Sequence, residues 1–314
     1  MKLTTRIAAV GLGVAALLLT ACGGGGGSNP LAEGSSAAPS GSASGGAGGP
    51  VVVGSAGFEE SEIIAELYAQ AMKAKGIDAS TKLSIGAREV YIKALQDGSI
   101  SVVPEYTGNL LLYFDKSAKA TTAEEVEKAL PDALPDGLKA LDKSAAADQD
   151  VYVVTKDTST KNGITSIADL QKIAPSSTLG GPSELEQRSY GPIGLEKVYG
   201  VKFKDFQPYD KLPVKVADLN AGKIQAATFF TTDSAIAENG YVQLEDPKSL
   251  ILPNNVIPLV RSEVADNPTA VSAINAVQAA LTTDDLVALN KSVIADHQDP
   301  DQVAGEWLKS KGLA

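Results

Sequence analysis

Val51-Val52-Val53-Gly54-Ser55-Ala56-Gly57-Phe58-Glu59-Glu60-Ser61-Glu62-Ile63-Ile64-Ala65-Glu66-Leu67-Tyr68 reads as a strand, a turn and the start of a helix. Three β-branched valines favour an extended chain, and Gly54 and Gly57 bracket a turn. Ile63, Ile64, Leu67, Tyr68, Ala71 and Met72 then recur at helical spacing until Gly76 stops them. Glu59, Glu60 and Glu62 fall in the first turn, where the helix dipole favours acids. A second unit follows, with residues 83–85 read as a strand and a helix through Val90, Tyr91, Ala94 and Leu95 ended by Gly98. Residues 100–103 read as a further strand broken by Pro104, and Thr122 with Glu125 forms a capping-box pattern. Strands alternating with amphipathic helices predict an α/β fold with largely parallel sheets.

A polar stretch at 145–150 precedes a new strand at 151–155, and a second series of such units begins there. It takes in Ser166 with Asp169 at a helix start, strands at 177–179, 202–206 and 224–230, and a helix ending at Tyr199-Gly200. After Leu252-Pro253-Asn254-Asn255 the pattern turns to consecutive helices, starting at Asn267-Pro268, Thr283 and Asp299-Pro300, expected to pack back on the first series. The predicted organisation is a first lobe at 51–148, a second at 149–253, and a helical return to the first at 254–314. No internal repeat of solenoid length is evident.

Upstream, Lys2 and Arg6 precede a short apolar run at 7–19 that ends in Leu19-Thr20-Ala21-Cys22, the pattern of a bacterial lipoprotein signal. Residues 1–21 are therefore expected to be removed and Cys22 lipidated. Residues 22–50 are almost all Gly, Ser, Ala and Pro, a flexible tether with too little apolar surface to fold. Loss of Lys2 and Arg6 leaves 25 of the 27 basic residues against 38 acidic ones, a balance of −13, which argues against a nucleic-acid partner. Cys22 is the single cysteine, so no disulfide can form within the folded body.

Several strings, in order along the chain, make residues 51–314 resemble the solute-binding proteins of osmoprotectant (glycine betaine, carnitine, choline) ABC importers. They are Gly54-Ser55-Ala56-Gly57-Phe58-Glu59-Glu60-Ser61, Ala94-Leu95-Gln96-Asp97-Gly98 and Pro104-Glu105-Tyr106-Thr107-Gly108, then Gly194-Leu195-Glu196-Lys197-Val198-Tyr199-Gly200, Thr231-Thr232-Asp233, Leu244-Glu245-Asp246 and Pro258-Leu259-Val260-Arg261. The Pro-Glu-Tyr-Thr-Gly string is the most specific. The resemblance implies a two-lobed periplasmic-binding-protein fold, type II-like, with the ligand in a cleft between the lobes. It also implies an extracytoplasmic, lipid-anchored receptor that delivers its solute to a membrane permease and its ATPase, without a cofactor. The chain departs from the pattern at Ala56 and Glu59, at Asn109 where threonine is usual, at Phe230 where tyrosine is, and at Leu252-Pro253-Asn254-Asn255 in place of Pro-Pro-Tyr-Asn.

A quaternary ammonium cannot donate a hydrogen bond and is best held by aromatic faces, at about 0.5–2 kcal/mol each. Tyr106 and Tyr152 match cage positions of that family, Phe230 takes the place of a third ring, and Tyr209 is a fourth candidate wall. Arg188 and Asn109 are the candidates for a carboxylate end. An ordinary half-buried aromatic is the competing reading of any single ring, and a surface arginine paired with Glu184 that of Arg188. Binding of a more apolar solute on the same fold, or a lipid-anchored surface interaction module, remain alternatives. An enzyme is disfavoured: the lone histidine, His297, sits near a helix end, no Gly-x-Ser-x-Gly elbow occurs, and no His, Cys and acid cluster has metal-ligand spacing.

Overall fold

A computed structural model describes residues 49–314 of the protein; the signal segment, Cys22 and most of the tether lie outside the described residues. The chain builds two five-stranded mixed sheets. The first contains β1 (Val51–Gly54), β2 (Ala79–Lys82), β3 (Val102–Tyr106) and β4 (Leu138–Ala140). The second contains β5 (Asp150–Val154), β6 (Thr178–Gly181), β7 (Asp205–Pro208), β8 (Ala226–Phe230) and β9 (Val242–Gln243). The chain then returns to the first sheet as β10 (Val256–Arg261), giving the orders β2-β1-β3-β10-β4 and β7-β6-β8-β5-β9. The architecture is thus two-lobed and α/β. In each sheet four strands run in one direction, and the strand by which the chain enters from the other lobe, β5 or β10, runs antiparallel to its neighbours.

Both faces of each sheet are covered, so central strands such as β3 and β5 are buried along their whole length. Under the first sheet lie helix Glu59–Ala74 and the C-terminal helices Pro268–Ala280, Thr283–Asn290 and Pro300–Ser310, which share one core. Ile63, Ile64, Leu67, Tyr68 and Met72 of the first helix are fully buried there, each worth about 1.5–3 kcal/mol relative to exposure. The Tyr68 hydroxyl donates to Gln278 at 2.9 Å, so the deepest polar atom of that helix is satisfied. Helices Arg88–Gln96, Thr107–Phe114 and Ala123–Ala133 cover the opposite face, and the last opens with the expected Thr122–Glu125 capping box.

Three sequence expectations change. Residues 83–85 are not a strand; β2 is the polar run Ala79–Lys82, which as an edge strand buries only part of its length and carries no apolar signal. Pro104 does not break its strand but lies inside β3, directly opposite Pro258 of β10, so the two positions lacking an N–H coincide. The chain after Asn255 enters β10 before any helix.

Glu105, fully buried in β3, accepts a two-pronged pair of bonds from Arg88 at 2.7 and 2.9 Å, a third from the Tyr91 hydroxyl and a fourth from the Tyr106 N–H. This pair clamps helix Arg88–Gln96 to the strand that carries Tyr106. Glu105→Ala leaves a buried guanidinium without its counter-charge and is expected to cost about 3–5 kcal/mol of unfolding free energy in chemical denaturation.

Candidate functional site

A cavity of about 380 Å³ opens between the lobes and is lined by both. The turn after β1 and the end of β3 supply Phe58 and Tyr106, and the end of β8 supplies Phe230. Phe58 lies between the other two: its ring centroid is 6.2 Å from that of Tyr106 and 5.4 Å from that of Phe230, with interplanar angles of 30° and 26°. A row of three rings therefore spans the gap, two from the first lobe and one from the second. Phe58 was not anticipated as a wall. It precedes helix Glu59–Ala74 in extended conformation, a position with no periodicity to mark it.

Tyr209 also lines the cavity, its hydroxyl donating to Asp218 at 2.8 Å and its ring lying over Gly180. Burial and then that carboxylate push the Tyr209 phenol up to about 12. Tyr152, expected as a cage wall, is instead fully buried in the core of the second lobe, where its hydroxyl donates to the Tyr190 carbonyl at 2.7 Å. The cause is strand periodicity: Val151 and Val153 face one core and Tyr152 and Val154 the other, and neither direction is the cleft.

Arg188 lines the cavity but pairs with neither Glu184 nor a free space. Its guanidinium grips Glu89 of the first lobe at 2.6 and 3.1 Å, an ion pair across the cleft mouth. Partial burial opposes ionisation of Glu89, yet the Arg188 bonds hold its carboxyl below the ordinary value. Asn109 also faces the cavity; its amide donates to Asp150 at 2.8 Å while its buried carbonyl oxygen has no partner. The Asn109 backbone N–H, an orphan of the helix start, is accepted at 2.8 Å by Asn254. Asn254 thus works as a helix cap at the position where a ring was absent from the sequence pattern.

The remaining lining is rich in acid. Glu60 and Asp148 are buried in the wall beside Tyr106, whose hydroxyl donates to Glu60 at 2.6 Å. Asn290 donates to Glu60 at 2.6 Å, and the Thr232 hydroxyl lies 2.7 Å from Glu60 and 2.9 Å from Asp148. Burial raises the Glu60 and Asp148 carboxyls above their ordinary range, and each is within repulsive reach of other acids. Burial likewise raises Asp233, whose carboxylate accepts the Phe230 N–H. Of the four cations in the lining, Arg88 is committed to Glu105 and Arg188 to Glu89, Lys215, lowered by burial, donates to the Thr228 carbonyl at 2.7 Å, and Lys211 is exposed to solvent. The arrangement suits a compact positive group with apolar flanks. In sequence, Glu60 looked like any first-turn acid, Thr232 lay in a string of the family pattern without a role of its own, and Asp148, Asn290 and Lys215 carried no signal of a site.

Among the described residues no cluster of His, Cys and acids could hold a metal ion, and His297 is exposed in a turn. Tyr152→Phe is expected to lower unfolding free energy by about 1–3 kcal/mol, because the Tyr190 carbonyl loses its donor. The same substitution should leave the affinity for a cavity ligand unchanged in calorimetry.

A family described as the substrate binding domain of ABC-type glycine betaine transport systems matches residues 49–310. The glycine betaine-binding protein YehZ of Escherichia coli (strain K12) is 27% identical over 279 residues, covering 84% of this chain and 91% of that protein. The carnitine transport binding protein OpuCC of Listeria monocytogenes is 23% identical over 82% of this chain and 85% of its own length. Among solved structures, a glycine betaine/carnitine/choline ABC transporter protein superposes with a TM-score of 0.67 at 23% identity, over 84% of this chain and 99% of that one. Apo YehZ superposes with a TM-score of 0.60 at 25% identity, over 85% of this chain and 100% of that one. Proteins of this kind bind solutes and are not enzymes. With the match spanning both lobes and the cleft, this chain belongs to the family of substrate-binding domains of ABC-type glycine betaine transport systems.

Proposed function

We propose that this chain captures a quaternary-ammonium osmoprotectant, of the glycine betaine, choline or carnitine class, between Phe58, Tyr106 and Phe230, and hands it to a membrane permease driven by an ATPase. The observation that carries the reading is the row of three rings contributed by both lobes, with the Glu60 carboxylate at the hydroxyl edge of Tyr106. Methylated ammonium groups bury apolar methyls and a diffuse charge together, and ring faces answer both needs at about 0.5–2 kcal/mol each. Because the facing sides of Phe58 and Phe230 already touch, the cation takes an outer ring face or parts the two rings. Lys211, Lys215 and Asn109 are donors in the lining for a carboxylate end, whereas Arg188 already serves Glu89. The printed ligands of the relatives, glycine betaine and carnitine, share this chemistry.

The same reading places the receptor outside the cytoplasmic membrane, tethered through a lipid on Cys22 and the Gly/Ser/Ala/Pro segment to residue 50. No helix among the described residues is long and apolar enough to cross a membrane. The lipoprotein pattern at 1–22 supplies the anchor instead, and Cys22→Ala should move the protein from the membrane to the soluble fraction of the producing cell.

Tyr106→Ala and Phe58→Ala should each weaken binding of glycine betaine or choline by about tenfold or more in calorimetry, the loss of one desolvated cation–π contact. Unaltered affinity in both variants would remove the ring row from the site. Ligand at about 100 times its dissociation constant should add roughly 2.7 kcal/mol to stability, read as a thermal shift, and failure of every quaternary ammonium tested to do so overturns the reading.

A further inference from the structure

The contacts of Thr232 pose a problem of hydrogen count. Its hydroxyl oxygen lies 2.7 Å from Glu60 Oε2 and 2.9 Å from Asp148 Oδ1, and it also accepts from Asn290 Nδ2 at 3.2 Å. A hydroxyl has one hydrogen to donate, and an ionised carboxylate has none. With both acids ionised, one of the two short oxygen–oxygen contacts would have no hydrogen in it. The other partners do not help, because each already spends its own hydrogen: Tyr106 and Asn290 on Glu60, and the Thr232 N–H and Thr231 hydroxyl on Asp148. None of these partners is basic. The charged and titratable groups around the pair are Asp233 before helix Ser234–Glu238, which acts on both acids, and Tyr106 on β3 with Glu105 behind it; Lys215 on helix Leu212–Asn220 and Glu59 act on Asp233. Lys215 is engaged by the Thr228 carbonyl and acts on Asp233 and Asp150. Glu60 and Asp148 are 4% and 3% exposed, yet both line the cavity.

We propose that Glu60 and Asp148, joined through the Thr232 hydroxyl, form a proton-binding site in the cavity wall, and that a ligand carrying net positive charge displaces this proton when it binds. One added hydrogen on either acid completes the chain carboxyl, hydroxyl, carboxylate, and leaves one negative charge instead of two. A permanent cation in the cavity supplies the positive charge from the other side. It favours full ionisation of the pair, and the proton leaves to solvent. This deepens the function proposed above and rests on it: the site discriminates by net charge, since choline carries one positive charge and zwitterionic glycine betaine carries none. Linkage then gives the sign. Choline binding that releases a proton tightens as pH rises, by up to about tenfold per pH unit, and glycine betaine binding responds less. Stability of the free protein runs the other way. The folded-state values of both acids lie above those of the unfolded chain, chiefly through burial, so their contribution is full below the ordinary carboxylate range and is lost as pH rises through the raised values.

The test is choline calorimetry on the wild-type protein from about pH 5 to about pH 8, in buffers of differing ionisation heat, which counts the protons exchanged. Release approaching one proton per choline, with affinity rising with pH, is expected. Glu60→Gln should abolish both the release and the pH dependence, because the amide donates to Thr232 and leaves Asp148 ionised throughout. Buffer-independent heats with a flat affinity overturn the inference while leaving the proposed function standing. If no quaternary ammonium binds, the proposed function fails, and infrared spectroscopy of the protein alone decides the proton. The carbonyl stretch of a protonated carboxylic acid should be present in the wild type and lost in both Glu60→Gln and Asp148→Asn; its absence from the wild type overturns the site.

Discussion

Two buried carboxylates compete for one hydroxyl hydrogen, and the geometry of the cleft is organised around that competition. Glu60 comes from the first helix, Asp148 from the segment entering the second lobe, Thr232 from the turn after β8 and Asn290 from a C-terminal helix. Segments widely separated in the chain thus meet at one cluster, and Tyr106 joins it through its hydroxyl. Burial makes each carboxylate costly to ionise. The hydrogen bonds that offset this cost also bind the first lobe to the second, so the ring row and the acid cluster are two sides of one wall.

The string Pro104-Glu105-Tyr106-Thr107-Gly108 shows how little of this wall is free to vary. Pro104 meets Pro258 across the sheet, and Glu105 holds Arg88 and Tyr91. Tyr106 supplies a ring to the cavity and a hydrogen to Glu60. Thr107 donates its N–H to the Asn255 carbonyl and accepts the Asn255 N–H on its hydroxyl. At Gly108 a Cβ would stand 2.6 Å from both the Leu252 Cβ and the Pro253 carbonyl oxygen, too close for any side chain. Five consecutive residues therefore do scaffold, ligand-cleft and crossing work together, which is why this string carried more information than any other.

The α/β architecture was legible because periodicity and turn chemistry repeat over many residues, and Tyr106 and Phe230 were singled out through the resemblance that the strings at 104–108 and 231–233 carry. Tyr152 was misplaced for a physical reason. In a sheet covered on both sides every residue looks core-facing, and alternation cannot say that a ring one pair from the strand end points into a lobe rather than between lobes. Arg188 was seen as a cavity residue, but its partner Glu89 lies 99 positions away and leaves no local trace. Phe58 sits outside any repeat, and Glu60 was hidden by a sufficient explanation, the helix dipole. β2 and β10 were missed because an edge strand needs few apolar residues and because two facing prolines disguise a central one.

The chain passes between the sheets twice, and the two passages are hydrogen-bonded to each other: Asp148 N–H to the Asn254 carbonyl at 2.9 Å, Val256 N–H to the Ala146 carbonyl at 3.0 Å, with an antiparallel bridge between Ala147 and Asn255. Such a doubled ribbon behaves as a leaf spring. It bends more easily across its flat side than within its plane, because the cross-links resist sliding of one passage past the other. Severing either passage would leave the molecule in one piece but turn the spring into a loose string. Asp148 and Asn254 stand on that spring, so any flexure is felt directly by the carboxylate pair and by the helix carrying Asn109.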